Sequence, residues 1–328
     1  MTLSMKQLAL HIPVAVAAAV AAVATAGVAH AQGDKVLRLV VPFPPGGGTD
    51  SLARALSRRL QADFGDPVIV ENRPGAGGNI ALDYVAGAAP NGRTLVLTTN
   101  SLVINPLIYS NLKFNAQTSF APVIALAHSP VLILGRPGLP FKTLPEMLAY
   151  AKAHPGKLSY GSCGNGSIHQ LAGEQLKALA GIDMLHVPYK GCGGAMTDLA
   201  GGQVDISVNS LTSAAPFLNT NKVVGLATTN AAPSRLVPGL PTVASSGLKN
   251  YSFDGWYAMF APAGTPEAVV RRLNDSVNAA LSDAEVKKAL AASYLEPLGG
   301  SPADLAALVA RETASYAPIV KAANITGD

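Results

Sequence analysis

From residue 36 the chain alternates between short β-branched runs and longer segments in which apolar positions return every three or four residues. Residues 36–41 form the first apolar run and predict a strand, which ends in Pro42-Phe43-Pro44-Pro45-Gly46-Gly47-Gly48-Thr49-Asp50. Leu52, Leu56, Leu60 and Phe64 then recur every fourth residue while Arg54, Arg58 and Arg59 fall elsewhere, so an amphipathic helix is expected, stopped by Gly65. Strands are expected over 67–71, 93–99, 130–134, 157–160, 184–189, 203–208, 222–228 and 251–263. Helices are expected over 80–86, from Thr143 to His154, after Ser167, after Gly191, over 212–218, and from Thr265 and Ser301 to the C-terminus. Thr143-x-x-Glu146 and Ser167-x-x-Gln170 have capping-box spacing. Strands alternating with helices predict an α/β fold.

The opening turn carries three glycines in a row beside three prolines, so its backbone can approach a guest without being floppy. The helix that follows aims unbonded N–H groups and a positive dipole end at the same spot, which suits an anion. A phosphate-loop lysine and a dinucleotide fingerprint are both absent, favouring a carboxylate over a nucleotide phosphate. A plain strand-to-helix connection remains the alternative. Asp50, also a ligand-binding candidate, is expected to cap its helix or orient a water, with a ligand ammonium as the less favoured partner. Gly161-Ser162-Cys163-Gly164-Asn165-Gly166-Ser167-Ile168-His169-Gln170 repeats the strand, glycine turn and helix order, and two such turns in different halves suggest two jaws.

A third turn, 72–79, reads as a further wall of the cleft. Asn100 and Ser101 stand at the carboxyl end of a strand, where open α/β sheets bind ligands, or they cap the turn. Tyr189 and Asn209 occupy comparable strand ends in the second half. Lys190 either neutralises an acid or is simply solvated, and His169 either touches ligand or orients its loop through a backbone hydrogen bond.

The first thirty-one residues change the picture of the whole. Lys6, an apolar stretch over 12–28 and Ala29-His30-Ala31 have the layout of a secretory signal cleaved after Ala31, with an uncleaved anchor as the competing reading. The chain has 328 residues, so two domains are expected. It carries 24 basic and 20 acidic residues, and setting Lys6 aside leaves an excess of three. With no basic run interleaved with aromatics, nucleic acid is not an expected partner. Cys163 and Cys192 are the only cysteines. In an exported chain they could form a disulfide, provided their Cα atoms lie within about 7 Å, or stand as two buried thiols.

Catalytic signatures are lacking. No Gly-x-Ser-x-Gly elbow occurs. The histidines at 128, 154, 169 and 186 show no metal-ligand spacing along the sequence, so neither metal nor cofactor is expected.

The segment 41–50 resembles the first signature of the Bug family, the extracytoplasmic solute receptors of tripartite tricarboxylate transporters. The likeness continues through Val70-Glu71-Asn72-Arg73-Pro74-Gly75-Ala76-Gly77-Gly78, Pro90-Asn91-Gly92-Arg93-Thr94-Leu95, Pro188-Tyr189-Lys190-Gly191, Gly202-Gln203-Val204-Asp205 and Gly255-Trp256. It implies a two-domain periplasmic-binding-protein, or Venus flytrap, fold with two interdomain crossings. Domain 1 would comprise 32–134 and 252–328, and domain 2 residues 135–251.

The resemblance also implies a monomeric periplasmic receptor that delivers a small carboxylate to a membrane permease. In such receptors a ligand carboxylate rests between Phe43, Pro44, Pro45, Gly46, Gly47, Gly48 and Thr49 on one side and the turn containing Ser162, Gly164, Asn165, Gly166, Ser167 and His169 on the other. Family members often have small or hydroxyl residues where Cys163 and Cys192 stand. Few basic residues line these loops, favouring a monocarboxylate, aromatic acid or amino acid over citrate. Two alternatives stay open: a secreted hydrolase pairing Ser162 or Ser167 with His169, and a ligand sensor for a membrane kinase.

Overall fold

A computed structural model describes residues 35–327, so the expected export signal lies outside the described residues. The first sheet grows from β1 (Leu37–Val41), flanked in parallel by β2 (Val68–Asn72) and β3 (Thr94–Thr99). Next to β3 lies β9 (Asp254–Pro262), antiparallel, then the first half of β4 (Phe120–Gly135). The two-residue β10 (Glu296–Pro297) pairs with β4 as well. The second sheet is built on the other half of β4, whose residues 131–135 pair with β7 (Ile206–Ser210) and residues 132–135 with β8 (Val224–Thr228). Beyond β7 come β5 (Leu158–Ser162) and β6 (Met184–Pro188), both parallel to it.

Helices α1 (Gly48–Phe64), α2 (Asn79–Ala86) and α3 (Ser101–Ile108) leave the carboxyl ends of β1, β2 and β3. In the second sheet α5 (Ile168–Ala180), α6 (Cys192–Ala200) and α7 (Leu211–Leu218) leave β5, β6 and β7 in the same way. The remaining helices are α4 (Leu144–Ala153), α8 (Glu267–Ser282), α9 (Ala284–Ala292) and α10 (Pro302–Ala322).

The strand period of two sorts β9 between cores: Trp256, Ala258 and Phe260 enter the large cluster under α10, while Tyr257, Met259 and Ala261 face α1 and α8. Leu52, Leu56 and Leu60 of α1 are fully buried, as their spacing required. Each contributes about 1.5–3 kcal/mol of transfer free energy.

One expectation needs correction. The strand expected over 130–134 begins ten residues earlier, because the apolar run 120–135 is one strand shared by both sheets. Its partner changes from β9 to β7 between Pro130 and Val131. Residues 101–108, for which no element was expected, form a helix; Pro106 has no N–H to donate to Leu102 O, and the helix ends two residues beyond it.

The chain returns between sheets through Thr229. Its N–H donates to Val131 O at 2.9 Å and its carbonyl accepts from Phe253 N at 2.9 Å, while its hydroxyl reaches Phe253 O at 2.7 Å. Both crossings are therefore bonded to each other at one fully buried residue.

Candidate functional site

The glycine turns lie at the carboxyl ends of the parallel strands of both sheets. Helix α1 starts at Gly48 with Gly47 at its N-cap, and no side chain caps it. Ser51 N bonds Gly47 O at 3.0 Å, leaving the N–H groups of Gly48, Thr49 and Asp50 ahead of the first helical bond.

Asp50 is 4% exposed and fully engaged. Its Oδ2 accepts from Gly46 N and from Arg54 Nε, each at 3.0 Å, and its Oδ1 accepts from Asn72 Nδ2 at 3.0 Å. Asn72 Nδ2 also lies 3.1 Å from Phe43 O. One carboxylate thus holds the loop from behind at both ends. Burial works to raise its pKa, but Arg54, Gly46 and Asn72 together outweigh that and hold it below the ordinary carboxylate range. Gly46 has φ 89°, a conformation that favours glycine.

Two other residues complete this jaw, and sequence reasoning missed their part in it. A Cβ on Gly48 would come within 2.8 Å of the Tyr257 hydroxyl, so glycine is what lets α1 begin against that ring. The Tyr257 hydroxyl bonds Thr212, near the start of α7, and burial raises it to about 12. Tyr257 therefore joins the first jaw to the second sheet. The alternation of β9 could have revealed it, since Tyr257 must point opposite to buried Trp256.

Gly78 packs on Pro42 and approaches the Ser101 hydroxyl, bringing the third turn and Ser101 to the first loop. Asn100 is elsewhere. Its Nδ2 lies 3.1 Å from Asp254 O and 3.0 Å from Glu312 Oε2, and its Oδ1 accepts from Trp256 N at 3.2 Å. Its donors and acceptor are used in the core under α10, and its side chain does not cap α3.

The second jaw satisfies itself. Ser162 is fully buried, and its Oγ is 2.7 Å from His186 Nε2. His186 stacks on Tyr160. Gly164 N donates to Ser162 Oγ at 3.3 Å, and Gly166 N to Gln170 Oε1 at 2.7 Å. Ser167 caps α5 by accepting from Gln170 N and itself donates to Gly164 O at 2.7 Å. The capping box is thus shifted by one residue, since Gln170 reaches Gly166 instead of Ser167.

Other candidates of this jaw are also engaged. Tyr189 turns its hydroxyl to Asp198 Oδ2 at 2.7 Å, with burial foremost in raising it to about 12. Asn209 is fully buried and donates to Cys192 O at 3.1 Å and to Ser207 Oγ at 3.2 Å. Lys190 and Asn165 are exposed. Gly166 meets Ile108 of α3, so the two halves touch at this loop.

Cys163 and Cys192 are joined, their Cα atoms 4.2 Å apart, which ties this turn to the start of α6. His169 lies against the bridge, with Nε2 3.9 Å from Cys192 Sγ, and its Nδ1 is buried without a hydrogen-bond partner. The backbone bond expected of it is not made. Burial lowers its pKa to about 4, leaving the ring neutral.

Behind the cleft, a cavity of about 870 Å³ opens at the hinge, bordered by His128, Asp254, Trp256, Glu296 and Glu312. His128 Nδ1 is 3.0 Å from Asp254 Oδ2 and its Nε2 is 3.1 Å from Glu296 Oε2. The Asp254 hydrogen bond, above all, raises the His128 pKa against the effect of burial. Burial pushes Glu312 up to about 7, although Trp256, Asn100 and Tyr316 bond it.

Residues 52–325 match the family model described as "Tripartite tricarboxylate transporter family receptor". Protein BugT of Bordetella pertussis is 32% identical over 308 residues, covering 91% of this chain and 94% of its own. Rpa4515 of R. palustris, solved with adipate, is 35% identical with a TM-score of 0.80, covering 88% of this chain and 97% of that one. MatC from Rhodopseudomonas palustris, solved with malate, is 33% identical with a TM-score of 0.76, covering 87% and 98%. With a two-lobed α/β architecture, glycine turns at the strand ends of both sheets and a family match over nearly its whole described length, this chain belongs to the receptors of the tripartite tricarboxylate transporter family.

Proposed function

We propose that the protein captures a small carboxylate-bearing metabolite in the periplasm and delivers it to a membrane permease, as a monomer and without catalysis. Export would follow cleavage after Ala31, and the two lobes would comprise 32–134 with 252–328, and 135–251. The observation that carries the reading is the open N-terminus of α1: its first N–H groups have no side-chain cap, and the one nearby acid is turned to the back of the loop. An anion there meets N–H donors and the positive helix end without facing the oxygens of Asp50.

The second jaw supplies the opposing wall, and closure is stabilised because only the closed state makes both sets of contacts. Adipate and malate in related receptors support a carboxylic acid as the guest. The scarcity of free basic side chains favours an organic, aromatic or amino acid bearing few charges. Binding is favoured over the hydrolase alternative by the partners of its two serines, since Ser162 is buried on His186 and not on His169, and Ser167 caps α5.

A thermal-shift screen of small mono- and dicarboxylates, adipate and malate included, tests this. An acid at a hundred times its Kd should stabilise the native state by about 2.7 kcal/mol. If no acid raises the melting temperature, or if an ester is turned over, the reading fails.

A further inference from the structure

We propose that, when its disulfide is reduced, the second jaw becomes a binding site for a borderline-to-soft transition-metal cation such as Zn²⁺, held by Cys163 Sγ, Cys192 Sγ and His169 Nε2. Their ligand atoms lie within 4.8 Å of one another although the residues are far apart in sequence. Tetrahedral zinc, with Zn–S about 2.3 Å and Zn–N about 2.0 Å, places sulfur and nitrogen ligands about 3.5 Å apart. His169 Nε2 already stands 3.9 Å from Cys192 Sγ. The sulfurs must part to roughly 3.8 Å in the same geometry, and the imidazole must close on them. Gly191, next to Cys192, has open space around it, so the backbone on that side has room to adjust, whereas Gly164 packs against Tyr189 O.

The second observation is the state of the imidazole. Its Nδ1 is buried with no partner, and its Nε2 is too far from sulfur for a useful hydrogen bond. Nε2 therefore has no competing hydrogen bond to oxygen or nitrogen and is free to ligate, with Nδ1 left as the N–H of the ring. Asn209 Oδ1, 3.8 Å from Cys163 Sγ, stands where a fourth ligand or an ordered water would complete the shell. Two thiolates and an imidazole select zinc or cuprous copper over magnesium or calcium.

The disulfide form has no thiolate to offer. A dithiol reductant passes two electrons to the S–S bond and becomes a cyclic disulfide, leaving Cys163 and Cys192 as thiols. Cation binding then displaces their two protons. Reoxidation by a disulfide reverses the exchange and expels the cation.

Co²⁺ serves as the spectroscopic probe. Full-length mature protein is reduced with dithiothreitol, freed of reductant without oxygen, checked for native circular dichroism and titrated. The expected result is one Co²⁺ per chain with thiolate-to-cobalt charge-transfer absorption, and none in the oxidised protein. The double variant Cys163→Ala/Cys192→Ala should bind none, and His169→Ala should weaken binding at least about tenfold and alter the d–d bands. Loss of native structure on reduction, absence of the charge-transfer band, equal binding by the oxidised form, or an unchanged affinity and spectrum in His169→Ala would each overturn the proposal.

Discussion

The turns at 44–49 and 162–169 have the same design in sequence, and in each a side chain four residues on takes up a glycine N–H, but only the second is capped at its helix start. The first leaves the opening N–H groups of α1 uncapped and is held from behind by Asp50 and Asn72. The second consumes the N–H groups of Gly164 and Gly166, caps its helix with Ser167 and is tied by a disulfide. A glycine turn before a helix therefore marks a place where backbone donors can face a guest. Whether they do depends on the residue at the N-cap. Asp50 and Gln170 each reach back to a glycine N–H, but Gly47 leaves its helix start uncapped where Ser167 closes the other.

Removing the bridge should have the largest effect. Cys163→Ser/Cys192→Ser loses a cross-link spanning 29 residues, expected to cost about 3–4 kcal/mol in denaturant unfolding. If stability is unchanged, the second turn does not owe its rigidity to the bridge. Asp50→Ala comes next. Removing a buried acceptor from Gly46 N–H, Arg54 and Asn72 should cost about 2–3 kcal/mol and, by loosening the first turn, weaken binding of the acid found by thermal shift more than about tenfold. Because the Asp50 pKa is lowered in the folded state, its contribution is present above the ordinary value of 3.8 and is lost as pH falls through the folded value.

Ser167→Ala removes one cap and should cost about 1 kcal/mol, with the affinity for the same acid nearly unchanged by calorimetry. Equal losses of affinity in Asp50→Ala and Ser167→Ala would erase the distinction between the jaws.

The smallest effect separates both turns from the hinge. In the folded state Asp50 stays ionised near neutral pH, while burial lowers the His169 and His186 pKa values, so those two histidines favour the unfolded chain as pH falls below 6.5, a slope opposite to that of the groups at the hinge. His128 has a raised folded pKa, so its stabilisation is complete below the ordinary 6.5 and fades as pH rises through the folded value. Glu312, shifted from 4.5 to about 7, stays protonated in the native state over a range where the unfolded chain ionises, so stability again falls as pH rises. Melting temperatures from pH 5 to 8 should decline less steeply in His128→Gln and Glu312→Gln than in the parent.

What the sequence made legible was local. The four-residue spacing of Leu52, Leu56 and Leu60 placed α1, and Thr143-x-x-Glu146 forms the capping box its spacing requires. Asn100 shows where local reading ends: at a strand end it resembles a ligand contact, yet its direction is set by Trp256 and Glu312, far along the chain. Ser162 was equally opaque, because its partner His186 comes from the neighbouring strand. The run 120–129 hid the start of β4 because a strand buried on both faces lacks alternation. The cysteines and His169 carry no metal-ligand spacing, since only the fold brings them together.

The sixteen-residue strand β4 is a common rail for both lobes, and Thr229 clasps the return path beside its midpoint. Sliding one lobe along the other would break the ladder on both sides of Pro130. Twisting about that point spares most of those bonds. Entry and exit of a guest should therefore proceed by a gaping rotation with its axis near Pro130 and its widest travel at the rim farthest from that axis, which favours guests that are compact across the pivot and tolerant of length toward the rim.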